Sequence, residues 1–144
     1  MNNVEKTLNE LGFICMEFKG TSMLPIFKEG RDKVCIYSVK PETALKRGDV
    51  ILYKRESGLY VLHRIMAIKG DGYVLCGDNH TTLEFGVKKS QVLGVAKGYY
   101  KYDKYIDFER SIKYKIYKNT FGKFRIFRKI RNGFKRIFKG KKTQ

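Results

Sequence analysis

The sequence predicts a mostly β protein: an antiparallel sheet or barrel, opened by a short helix and closed by a basic amphipathic helical tail. Three observations predict it. Short runs of β-formers recur at close spacing with turn residues between them. No βαβ alternation and no internal repeat break the series. Beyond Tyr105 the apolar residues switch to helical spacing among Lys and Arg.

The elements follow in order. Val4–Leu11 reads as a helix with Val4, Leu8 and Leu11 on one face, stopped by Gly12. Phe13–Phe18 reads as a strand and Gly20–Pro25 as a turn. Lys33–Val39 is a strand apolar enough to be covered on both faces. After the loop Pro41–Arg47 comes the strand Asp49–Lys54, then turn residues Arg55–Gly58 and the long strand Leu59–Ile68. Lys69-Gly70-Asp71-Gly72 is the strongest hairpin signal, and Tyr73–Cys76 returns as the partner strand. Val92–Tyr100 supplies the last strand. In the tail, Phe127, Ile130, Phe134, Ile137 and Phe138 form an apolar stripe that Phe121 and Phe124 extend upstream. Ile106–Ile116 also looks helical, and Gly122 predicts a break near Asn119–Gly122.

The 144 residues suit one domain plus a tail. No apolar run reaches the length of a membrane span. Met1–Leu11 lacks the basic start and apolar stretch of a secretory signal, which predicts a cytosolic location. The net charge of +17 is uneven. Residues 1–103 carry 16 basic and 12 acidic side chains, whereas residues 104–144 carry 15 basic and 2 acidic ones. A basic tail of this kind seeks polyanions. Cys15, Cys35 and Cys76 are an odd count without C-x-x-C spacing, so neither zinc nor a disulfide framework is expected. Small buried hydrophobes in a reducing compartment are expected instead, and no cofactor.

Ser22 stands out by its setting. Gly20-Thr21-Ser22-Met23-Leu24-Pro25 makes a tight turn that can expose a hydroxyl and aim backbone N–H groups at one spot. His63, in Leu62-His63-Arg64-Ile65, is either a packed core histidine or the general base for that hydroxyl. A third group must then orient the ring. Asp78 follows the hairpin partner of the His63 strand, and Glu84 and Asp49 are the other candidate carboxylates.

Together these segments resemble type I signal peptidases. Gly20–Pro25 looks like their serine box, Arg47-Gly48-Asp49-Val50-Ile51 like the next box, Leu62–Ile65 like the general-base box in its His form, and Gly77-Asp78-Asn79 like the acidic box. All four occur in family order across residues 18–98. Related self-cleaving repressor proteases share the serine box but use Lys, and they carry a DNA-binding domain for which residues 1–18 are too short. The resemblance implies a partly open antiparallel β-barrel as the catalytic domain, residues 1–103. It implies Ser22 as nucleophile, His63 as general base and Asp78 as the carboxylate near His63 or Arg64. It implies endopeptidase cleavage after small residues through an acyl-enzyme. Gly20 stands where many relatives have a Ser whose hydroxyl joins the oxyanion hole, which leaves the backbone N–H groups of Ser22 and Gly20. The acidic box lacks the family's second Asp, and Glu84 lies near that place.

Relatives usually carry a membrane helix before the serine box, and here only Met1–Leu11 and one strand precede it. Residues 104–144 are expected to take its place as an in-plane helix, with Phe and Ile at the acyl boundary and Lys and Arg on anionic headgroups. Packing of the same stripe on the body is the alternative, and nucleic acid is a weaker partner. The sequence therefore predicts a Ser–His endopeptidase on the inner face of the membrane. Its expected substrate is the leader of a peptide or protein precursor, met near an exporter or leader-binding protein. The competing expectation is a non-catalytic module on the same fold that binds membrane or leader peptide.

Overall fold

A computed structural model describes residues 3–139, and residues 131 and 133–139 by backbone alone. The chain runs α1 (Asn3–Leu11), β1 (Phe13–Glu17), β2 (Asp32–Ser38), β3 (Val50–Lys54), β4 (Tyr60–Lys69), β5 (Gly72–Cys76), β6 (Glu84–Lys88), a 3₁₀ turn at Lys89–Gln91, β7 (Val92–Lys101), β8 (Lys104–Asp107) and α2 (Ile112–Lys139).

The eight strands form one antiparallel sheet in the order β1-β2-β7-β3-β4-β5-β6, with β8 also on β7. The sheet is not closed, since β1 and β6 end the path without meeting. β7 is its hub. One edge of β7 pairs with β2 from Gly94 to Lys101. The other takes β3 near Val92–Val95 and β8 at Gly98–Lys101.

β3 shows why a nearly continuous apolar run marks a strand covered on both faces. Val50 and Leu52 enter a core cluster with Leu8, Met23, Phe27 and Tyr114. Ile51 and Tyr53, one residue out of phase, enter another with Ile65, Leu75 and Val95. β2 meets that expectation in part. Val34, Cys35 and Ile36, which span both faces, are buried, but Lys33 and Tyr37 are exposed.

Other expectations also shift. Leu8 is buried but Leu11 is 66 % exposed, because α1 ends as it leaves the body. The chain gains two strands that the sequence did not announce, β6 and β8, so Val92–Lys101 is not the last. Residues 104–107 are extended, and helix begins only at Ile112. That helix is unbroken through Asn119–Gly122. At Gly122 the nearest group is the Arg47 guanidinium, which lies over the Phe121 ring and stands 3.4 Å from where a Cβ would be, an ordinary contact. Cys15 and Cys35 are not free thiols. They sit directly opposite each other on β1 and β2 and form a disulfide, leaving Cys76 as the buried free thiol. Strand pairing brings the two sulfurs together, and the sequence alone carries no register between those strands.

α2 is anchored on one side. Tyr114 and Phe121 are buried against the body, whereas Ile112, Ile116, Ile126, Phe127 and Ile130 are exposed. Phe121 therefore faces away from the stripe it was expected to extend. Phe134, Ile137 and Phe138 lie outside the residues with described side chains. Among the described residues no helix is long and apolar enough to cross a membrane.

Candidate active site

Two loops and the centre of β4 meet at Gly77. A Cβ built there would stand 2.8 Å from the Ser22 carbonyl oxygen and 3.1 Å from His63 Nε2. The Ser22 carbonyl, His63 Nε2 and, also at 3.1 Å, His80 Nδ1 thus crowd one backbone position, which only a glycine leaves undisturbed. The contact is locked by the Asn79 N–H, which donates to the Ser22 carbonyl at 2.7 Å. Ser22 itself lies in a chain of turns that runs through the cis Leu24–Pro25 bond. Its hydroxyl and its N–H make no hydrogen bond among the described residues. The turn hangs on the core through Met23 and Phe27, both fully buried.

His63 is buried, 6 % exposed. Burial pushes its pKa down to about 4. The neighbouring charges of His80 and Arg55 work in the same direction, and the Glu84 carboxylate works against them. The ring is therefore neutral near pH 7, as a general base must be.

Its tautomer follows from its neighbours. Nδ1 lies 3.4 Å from Tyr53 Oη. The Tyr53 hydroxyl donates to Glu84 Oε2 at 2.6 Å, so its oxygen can only accept from the ring. Arg55 grips the same carboxylate with two N–H groups, at 2.9 and 2.5 Å, and holds Glu84 below the usual carboxylate range. This pattern assigns the proton to Nδ1 and the lone pair to Nε2, which lies against Gly77 on the side shared by the Ser22 carbonyl and His80 Nδ1. Glu84 Oε2 is itself 3.9 Å from Nδ1. The ring is oriented by a Tyr53–Glu84–Arg55 relay.

Asp78 does something else. It is buried and takes two hydrogen bonds from Arg64, at 2.7 and 2.6 Å. Of the two positions expected for it, beside His63 or beside Arg64, it occupies the second. Arg64 is fully buried and also donates to the Gly48 carbonyl and the Tyr114 hydroxyl. The rings of Tyr114, Tyr117 and Phe121 surround it. Asp49 is apart from the dyad and pairs with Lys118 at 2.7 Å. The Gly20 N–H donates to Glu29 Oε2 at 2.7 Å, so it is engaged rather than aimed at a substrate. His80 is exposed, yet its ring packs edge-on against His63 with centroids 5.7 Å apart.

Sequence reasoning missed Tyr53 and Arg55. A register count would have found Tyr53: in the β3–β4 hairpin Ile51 faces His63, which puts Tyr53 diagonally adjacent on the same face. Among the described residues no group of three or more His, Cys, Asp or Glu side chains is placed to hold a metal.

Chemically, the arrangement offers a Ser22 hydroxyl and N–H with no hydrogen bond among the described residues, and a neutral imidazole whose Nε2 and the Ser22 carbonyl both lie against Gly77. No protein-family model matches the chain, and no curated protein matches it.

Proposed function

We propose that this protein is a serine endopeptidase that resembles type I signal peptidases and removes a leader or signal-like segment from a peptide precursor after small residues. The supporting observation is the convergence of Ser22 and His63 Nε2 on Gly77, with Nδ1 tied to the Tyr53–Glu84–Arg55 relay. In this reading the open sheet is a barrel of the signal-peptidase type. Ser22 Oγ attacks the scissile carbonyl as Nε2 takes its proton. The imidazolium shares its Nδ1 proton with Tyr53, with Glu84 behind as counter-charge. The Ser22 N–H donates to the oxyanion, and the proton then passes from Nε2 to the leaving amine. Water repeats the sequence on the acyl-enzyme. The closing test is cleavage of peptides with an Ala-Xaa-Ala core. Wild type cleaves them and forms a phosphonyl adduct on Ser22 with a small fluorophosphonate, and Ser22→Ala does neither. Equal inertness of the two proteins overturns the reading.

The absence of a Ser22–His63 hydrogen bond among the described residues favours a second reading, a non-catalytic peptide-binding module on the same fold. Catalytic contacts often tighten only with substrate bound, so the enzymatic reading stands first.

We also propose that α2 holds the protein on the inner membrane face. At 3.6 residues per turn, Ile112, Ile116, Ile126, Phe127 and Ile130 share an arc of roughly 100°, opposite the anchored Tyr114 and Phe121. Lys123 and Asn119 fall within that arc, and further Lys and Arg flank it. In the full chain, Ile116→Ser with Ile130→Ser is expected to reduce flotation with phosphatidylglycerol vesicles at least about fivefold, given the transfer energy of two such side chains. High salt is expected to reduce wild-type flotation as well. Unchanged flotation of the double variant removes the membrane assignment.

A further inference from the structure

Beside Ser22 lies a cavity of about 370 Å³ that the Ser22–His63 chemistry does not use. Leu24 and Pro25, just past the nucleophile, form one wall, and Asn79, which holds the Ser22 carbonyl, forms the end. Tyr117, Phe124 and Phe127 of α2 form the other wall, and Arg128 closes it. Two polar atoms here are buried with no partner in full hydrogen-bond geometry, Tyr117 Oη and Arg128 Nε, and they are neighbours: the Arg128 guanidinium acts on the Tyr117 hydroxyl as a hydrogen-bond donor. With Arg128 on its oxygen, the Tyr117 O–H is the donor left without an acceptor, which is costly unless something brings an oxygen to it. Arg128 Nη1 donates to Asn79 Oδ1 at 3.3 Å, and Arg125 fastens the same turn of helix to the Thr81 carbonyl.

An apolar slot with a buried, incompletely satisfied Tyr117–Arg128 donor pair at one end has the composition of a ligand site. Its place next to the nucleophile identifies the occupant as the peptide undergoing cleavage. We propose that this cavity is a substrate subsite. It takes one bulky aliphatic or aromatic side chain of the peptide, while Tyr117 and Arg128 donate to a carbonyl or carboxylate oxygen of the same peptide. The subsite rests on the endopeptidase reading, and it makes α2 part of the substrate-binding surface as well as a lid over Arg64. A precursor would then carry a large apolar residue at one fixed offset from the small residues at the cut.

The test uses full-length Ser22→Ala and fluorescein-labelled octapeptides with an Ala-Xaa-Ala core. Leu replaces Ser at each flanking position in turn, and binding is read by anisotropy. One position is expected to favour Leu about tenfold, a modest return for burying a Leu side chain. Adding Phe127→Ser, at an exposed position, is expected to erase that preference without moving the melting temperature. Arg128→Gln is expected to weaken every peptide and keep the preference. A Glu-to-Gln exchange in the peptide separates the acceptors: a loss assigns a carboxylate, no change assigns the backbone carbonyl. The subsite is overturned if no position prefers Leu, or if the preference survives Phe127→Ser. Fluorophosphonate labelling of wild type keeps the two readings apart. Labelling without a Leu preference removes the subsite alone. A Phe127-dependent preference without labelling removes the endopeptidase and leaves a peptide-binding site.

Discussion

His63 and Arg64 are neighbours on β4 whose side chains leave the sheet on opposite faces. Arg64 points to the side where α2 lies and is saturated: four hydrogen bonds, two of them to Asp78, and three aromatic rings around a fully buried guanidinium. His63 points to the other side and is sparsely held, with one long bond to Tyr53 and an open Nε2. Gly77 and Asp78 repeat the division one strand away, the first making room for the dyad and the second closing the ion pair. Adjacent residues thus separate holding from reacting. A pair whose charges are fully satisfied can brace a loop but cannot exchange a proton with a substrate. A ring with one nitrogen unspent can.

The widest split is expected between substitutions of these two neighbours. His63→Ala should lower kcat for Ala-Xaa-Ala peptides by about 10⁴-fold, the usual scale for removing the base of such a dyad. Arg64→Met should instead cost about 3–5 kcal/mol of stability in urea titrations, because Asp78 is left buried and alone. Adding Asp78→Asn should recover part of that loss. If His63→Ala proves the more destabilising of the two, the division fails.

Gly77→Ala sharpens the boundary. Its Cβ must displace either the Ser22 carbonyl or the imidazole, and a shift of about 1 Å at the reacting groups costs about 10²-fold in kcat. The Arg64–Asp78 pair should survive, so the melting temperature should fall far less than for Arg64→Met.

The smallest effect is in the pH profile. With His63 pushed down to about 4, the acid limb of kcat/KM should fall near pH 4. His80→Asn removes a neighbouring charge that opposes protonation, so the limb should move upward. Stability follows the same ring. Its folded pKa lies below the unfolded value of 6.5, so the unfolded chain takes the proton first. Stability should be fully present above pH 6.5 and decline toward pH 4, by up to about 3 kcal/mol from this group.

Much of this was legible before any coordinates. The strands from 13 to 76 follow their β-formers and turns, and the Gly70-Asp71 loop closes β4 on β5 as its residues demand. β6 was not legible, because only Val87 of its five residues is buried and Gly86 interrupts it at φ +73°. β8 was hidden in a charged stretch whose pairing to β7 is set by the rest of the sheet. At the site, the resemblance grouped Ser22, His63 and Asp78, and the residues alone left Asp78, Glu84 and Asp49 as candidate carboxylates. It did not say which of two adjacent side chains, His63 or Arg64, would face the carboxylate. That depends on strand phase, and a one-residue change of phase exchanges the faces.

The Cys15–Cys35 bond has a topological consequence for the nucleophile. Ser22 lies inside a covalent ring whose two ends are adjacent strands at the border of the sheet. A protease nick anywhere in the arc between those cysteines would leave both fragments on one molecule, released only by a thiol reductant. The segment bearing Ser22 is moored at its base and stays tethered to the border of the sheet.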